Sequence, residues 1–292
     1  MTLPPTEVWT PPKAANRIVK VVEAISGIHE LDRFPLDVTQ VALETAKIFG
    51  WTDPITKVQP ANIRGFEGAL FPNNNRSEWL LLYNDKMSSS GRIRFTQAHE
   101  LGHYVLHRSL KESFQCGDSD VLGWPGDDSN FETQADVFAS YLLMPIDDYR
   151  KQTDSHVDLN ILSFCAERYG VSLTAAVLKW LQFTEEKAVL IISKSGFIDW
   201  AWSSESAWKA GAFFRTKNKV VEIPPTSIAA DDSIRIEREG REVSAFTWFS
   251  HAEKAMPLRE MKLVMEQFDC ILTLLVLPKS AEVWPPFNKS ML

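Results

Sequence analysis

The stretch Arg94-Phe95-Thr96-Gln97-Ala98-His99-Glu100-Leu101-Gly102-His103-Tyr104 decides how the rest of the chain is read. A loop of serines, Ser88 to Ser90, precedes it, and the pattern predicts a helix from about Arg92 to His107. On a helix, residues four apart share a face one turn above each other. His99 and His103 can therefore reach one zinc ion together, and Glu100, beside the first of them, can take a proton from a water held at that ion. The pentapeptide HExxH recurs in unrelated helices, where it is two histidines and a surface glutamate and nothing more. A catalytic zinc also needs a third protein ligand and an open fourth position.

The helix expected at about Phe131 to Met144, ended by Pro145, supplies a candidate. Glu132 can be the third ligand. Asp136, one turn further along the same face, can accept a hydrogen bond from the distal nitrogen of a ligating histidine and so fix its tautomer. Glu132 has a competing role, because Ser129-x-x-Glu132 also spells a capping box. Its pairing with HExxH upstream favours the ligand role. His107 extends the series 99, 103, 107, but at about 1.5 Å rise per residue it stands roughly 12 Å along the axis from His99. It is expected to be a helix-end residue favoured by the dipole. His29, His156 and His251 have no partners in sequence and are expected on ordinary surfaces or boundaries.

Taken together, these segments resemble the ImmA/IrrE family of metallo-endopeptidases. Arg94 to Tyr104 is similar to that family's RFTxAHELGH core, and Glu132-x-x-Ala135-Asp136-x-Phe138-Ala139, running into Leu142-Leu143-Met144-Pro145, to its second signature. Pro35 to Val38, Gly68 to Phe71 and Tyr169-Gly170-Val171-Ser172 fit the same layout, so the resemblance covers about residues 14–183. It implies an α+β, zincin-like helical peptidase domain with a small edge sheet. It further implies Zn2+ on His99, His103 and Glu132, with Glu100 as general base and then acid. An edge strand would hold the substrate backbone, and Trp79 to Tyr83 is the candidate, with Leu81, Leu82 and Tyr83 as substrate-binding residues. Tyr83, Tyr104 and an unplaced histidine are candidates for the oxyanion donor. The implied substrate is a helix-turn-helix repressor whose cleavage induces a stress or mobile-element programme. A metal-stabilised regulatory protein that binds a partner without proteolysis is the alternative.

Outward from this core, four regions are expected: a tail over 1–13, the peptidase domain over 14–150, a helix-turn-helix-like pair over 151–185, and a mixed α/β or β-rich domain over 186–292. Within the peptidase domain, helices are expected over 14–26 and 37–49, strands over 55–58, 68–71 and 79–83, and an Asp/Gly-rich loop over 116–128. The pair 159–169 and 173–183 carries Asp158, Glu167, Arg168 and Lys179, hence no net charge, which argues against reading a DNA groove and for packing on the peptidase. Strands are expected over 189–193 and 197–202, a hairpin over 234–248 turning at Glu239-Gly240, and a pair over 261–265 and 271–277. A sensory domain of GAF type, with an aromatic ligand pocket, is compatible with this texture.

Bulk properties narrow the partners. The 292 residues carry a net charge of −7, which disfavours sequence-independent nucleic-acid binding. Cys116, Cys165 and Cys270 form no CxxC pair and suit a reducing compartment. The N-terminal residues lack the basic and apolar segments of a signal peptide. The longest apolar run, Cys270 to Leu277, is far short of the roughly 20 residues of a membrane span. A soluble, cytoplasmic protein without a membrane partner is expected.

Overall fold

The computed structural model describes residues 9–62, 65, 67–87, 89–110, 114–116, 129–153, 156–217 and 219–285. The fold is α+β, in two compact units: Met1–Gln152 with Ala166–Ser172, and Thr153–Cys165 with Leu173–Leu292. The tail expected over 1–13 is described only from residue 9, and the loop expected over 116–128 lies outside the described residues except for Cys116.

In the first unit, α1 (Pro11–His29) opens with proline in its first turn, where a missing N–H is harmless. It buries Ala14, Ala15, Ile18 and Val19. In α2 (Val38–Phe49), the Asp37 carboxylate caps the start by accepting the Gln40 N–H at 3.0 Å. Gly50 ends it at φ 72°, a left-handed conformation that glycine adopts without strain. Four strands follow the order β1-β3-β2-β4, with β1 (Ile55–Pro60), β2 (Gly68–Pro72), β3 (Trp79–Tyr83) and β4 (Phe114–Cys116). β3 runs parallel to β1 and antiparallel to β2, and β2 pairs antiparallel with β4.

This order corrects one expectation. Trp79–Tyr83 is an inner strand: its backbone is paired with β1 on one side and β2 on the other, so Leu81, Leu82 and Tyr83 have no open edge to offer a substrate. The apolar run was read as an edge because of its place before the HExxH helix. Burial of Trp79 and Leu81 is what an inner strand requires.

Helix α3 (Ser90–His107) is capped by Ser89, whose hydroxyl accepts the Arg92 N–H at 3.2 Å. From Thr96 to Val105 every residue is buried. Its partner α4 (Ser129–Leu143) crosses it at Gly102, where an added Cβ would lie 3.1 Å from both the Ala135 Cα and a Phe138 ring carbon. Glycine at 102 and alanine at 135 thus let the two backbones approach, which brings Glu132 over the histidines. On another side of α3, Asp53 collects three donors: the Tyr104 hydroxyl on its carbonyl at 2.8 Å, and Trp79 Nε1 and Arg108 Nε on its carboxylate at 3.1 and 3.2 Å. These bonds lock the helix to the sheet. After α5 (Ile146–Gln152), Asp148 accepts two bonds from Arg168 and one from the Tyr169 hydroxyl at 2.7–3.0 Å.

The helix pair α6 (Leu159–Tyr169) and α7 (Leu173–Leu181) is divided between the units, and α7 packs on the first strand of the second. That unit holds a five-stranded antiparallel sheet in the order β6-β5-β9-β8-β7, from β5 (Lys187–Lys194), β6 (Phe197–Ser203), β7 (Ile236–Ser244), β8 (Pro257–Met265) and β9 (Cys270–Leu277), with a short α8 (Glu205–Lys209). Val189, Ile191, Leu258, Leu275 and Leu277 form one core with Trp248 and Phe249. The hairpin expected over 234–248 is absent. Residues 236–244 are one strand pairing with β8, and Glu239-Gly240 sits where the register slips between Glu237 and Arg241, with Gly240 at φ 90°. A glycine inside a strand pattern marked a bulge here, not a turn. The β8–β9 pair is as expected, joined through Glu266–Phe268 and Asp269. Cys165 and Cys270 are free and buried. Among the described residues no single helix is long and apolar enough to cross a membrane.

Candidate active site

Helices α3 and α4 bring His99, His103, Glu132 and Asp136 together. His99 Nε2 lies 3.0 Å from Glu132 Oε2, His103 Nε2 lies 3.0 Å from His99 Nε2, and His103 Nε2 lies 3.3 Å from the same carboxylate oxygen. Four donors at about 2.0–2.1 Å around a tetrahedral zinc would stand about 3.4 Å apart, so this triangle is nearly the face of such a tetrahedron. Glu132 points its carboxylate at the histidines, as a ligand would; the Ser129 side chain of the alternative capping box lies outside the described residues.

The protons on the rings follow from their outer partners. His99 Nδ1 stands 2.8 Å from Asp136 Oδ1, so it carries the proton and donates it, which leaves Nε2 with a bare lone pair. That lone pair faces both the Glu132 oxygen and the second imidazole. Three such acceptors converging within 3.0–3.3 Å repel one another, and a divalent cation between them removes the conflict. The donor set, two imidazoles and one carboxylate, is the chemistry zinc prefers.

Electrostatics agree with this. Burial works to raise the Glu132 pKa, but its hydrogen bonds to His103 and His99 overcome that and hold it well below the usual carboxylate range. Burial pushes His103 down, against the pull of Glu132. His107 falls to about 4, through burial first and then the nearby His103. These imidazoles are neutral near pH 7, the form that ligates metal.

Glu100 is fully buried. It lies against Gly68 of β2, where an added Cβ would come within 2.7 Å of its Oε1 and 2.6 Å of a Thr96 methyl carbon. Next to that glycine, the buried Glu67 is ion-paired with Arg92 at the start of α3. Strand β2 is therefore the wall behind the glutamate, a role carried in sequence only by Gly68 standing where a side chain would not fit.

Two candidates are placed elsewhere. The Tyr104 hydroxyl donates to the Asp53 carbonyl, and burial raises its pKa, so it serves the fold and is not an oxyanion donor. His107 is not a helix-end residue facing solvent. It is fully buried, its ring 5.2 Å from that of His103 and 4.8 Å edge-on to Phe131, with Nδ1 3.1 Å from His103 Nδ1. The helix-rise argument correctly kept it off the metal, but the i, i+4 spacing that joins 99 to 103 also joins 103 to 107.

A short helix carrying two histidines, crossed by another carrying a carboxylate, on a small mixed sheet, defines a metal-centre fold of the hydrolase type. Residues 53–181 match the model of a peptidase family described as the IrrE N-terminal-like domain, and through this domain the chain belongs to that family. No curated protein sequence matches the chain. A solved structure, a Mycobacterium tuberculosis transcriptional regulator, shares the fold, with 13% identity and a TM-score of 0.51 over 92% of this chain and 82% of that one.

Proposed function

We propose that the chain is a zinc-dependent endopeptidase, and the convergence of His99, His103 and Glu132 on one point carries this reading. A zinc ion there would lower the pKa of water toward neutrality and polarise a scissile carbonyl. The residues of the chain do the rest. His99, His103 and Glu132 hold the ion; Asp136 orients His99; Glu100 takes the proton from the attacking water and passes it to the leaving amine nitrogen. With β3 enclosed, an extended peptide could add to the sheet only at β1 or β4. Of the two, β4 is next to β2, the strand behind Glu100.

The substrate we propose is a helix-turn-helix repressor, which the family resemblance implies and to which the naming of the fold relative as a transcriptional regulator lends support. Residues 186–292, with their own sheet and core, would then set when or on which partner the peptidase acts, as a sensory domain of GAF type would, in a cytoplasmic setting. The test uses Glu100→Gln in the full chain, incubated with the repressor encoded beside it. The variant should bind zinc as the wild type does and lose cleavage by several orders of magnitude. Equal cleavage by both proteins would remove Glu100 from the chemistry. Zinc binding with no cleavage by either would favour the binding-only alternative.

A further inference from the structure

We propose that His107, oriented by Gln134, is a positioning residue that fixes the tautomer of His103 and thereby its hold on the metal. The inference rests on the zinc reading above and extends it by one turn of helix. Its evidence is a chain of hydrogen bonds with a single consistent direction. Gln134 Nε2 donates to Asn130 Oδ1 at 3.0 Å, so the amide turns its oxygen, Oε1, toward His107 Nε2 at 3.4 Å. An amide oxygen only accepts, so the His107 proton is on Nε2 and its Nδ1 is an acceptor. That Nδ1 faces His103 Nδ1 at 3.1 Å, which places the His103 proton on Nδ1. The His103 Nε2 lone pair is left to point at Glu132 and His99, where the ion would sit. Reversing any one bond sets two lone pairs or two N–H groups against each other further along.

The two ligand histidines are thus held by different means. His99 leans on a carboxylate, Asp136, which is part exposed; His103 leans on a neutral imidazole in the fully buried part of the helix. With a divalent cation in place, Glu132 and Asp136 balance its charge, and a neutral acceptor at 107 adds no further charge to an interior that would penalise it. An apolar residue at 107 could still pack on Phe131, so packing alone does not call for an imidazole.

The experiment measures zinc affinity of full-length protein by competition with a chromophoric chelator. His107→Leu keeps an apolar contact with Phe131 and removes the acceptor; affinity should fall about 10–100-fold. His107→Asn returns an acceptor oxygen near the position of Nδ1 and should restore affinity to within about threefold of wild type. Gln134→Leu should fall between them. Metal-free unfolding temperatures of the three variants should stay close to wild type, since the role is toward the ion. Equal loss in the Leu and Asn variants, or no loss in either, would overturn the proposal. His103→Ala is the control for the underlying reading: if it binds zinc undiminished, both readings fail, whereas if it loses zinc while His107→Leu does not, only the positioning role fails. Should the Leu variant not fold, long-range 1H–15N correlation spectra of zinc-loaded wild type decide the matter. A proton on His103 Nδ1 is expected, and a proton on Nε2 would overturn the proposal.

Discussion

Both units of the chain bury charged side chains, and they resolve the burden in different ways. In the second unit, Glu260 is fully buried, and its two oxygens accept the Ala229 N–H at 2.7 Å and the Trp248 indole N–H at 2.9 Å. Lys262, two residues on, donates to the Asp231 carbonyl at 2.8 Å. These bonds tie a loop and a ring to the sheet, and donors meet acceptors throughout. In the first unit, His99, His103 and Glu132 meet as three acceptors on one point. A buried polar group whose bonds close within the protein belongs to the fold, whereas one whose lone pairs converge on a shared point is built for something that arrives later.

The largest effect expected from this contrast is on stability in the absence of metal. Glu260→Ala strands two buried N–H groups and should destabilise the metal-free protein by roughly 2–5 kcal/mol. Glu132→Ala removes one of three mutually repelling acceptors and should leave the metal-free protein as stable as wild type, or slightly more so. Denaturant midpoints of apo proteins compare the two directly. If Glu132→Ala proved as destabilising as Glu260→Ala, the distinction between the units would collapse.

A smaller effect is expected behind the catalytic glutamate. Gly68→Ala places a Cβ into the space held by Glu100 and Thr96. Displacing a general base by a fraction of an ångström should lower kcat/KM about 10–100-fold, with zinc content unchanged. Cleavage of the repressor at the wild-type rate would show that Glu100 does not depend on this wall.

The smallest is a pH dependence in the second unit, where burial pushes the Lys179 ammonium down to about 7 against an ordinary value near 10.4. Between those values the unfolded chain binds more protons than the folded one, so stability rises with pH across that window, by on the order of 1 kcal/mol per pH unit. Lys179→Met should therefore be more stable than wild type at pH 7, with a gap that narrows by pH 9. A gap that does not change between those pH values would contradict the assignment.

How much of this was readable beforehand depended on whether a feature was local. HExxH, its Glu132 and Asp136 partners, and the helices that bear them follow from i, i+4 spacing, and the structure brings these side chains together. Gly102 and Ala135, both inside the recognisable motifs, turned out to be the contact that sets the helix crossing. What failed was non-local. Whether Trp79–Tyr83 was an edge depended on β1 and β2 closing over it, and whether Glu239-Gly240 was a turn depended on β8 continuing past it. His107 was misplaced because solvent was assumed at the end of α3, where Phe131 and Gln134 of α4 in fact cover it.

The central claim is that three side chains from two helices form one metal centre. Elemental analysis of freshly purified protein, alongside His103→Ala and Glu132→Ala, tests it most directly. The account predicts close to one zinc per chain in wild type and a loss in each variant, with circular dichroism unchanged. Zinc content undiminished by both substitutions would contradict it.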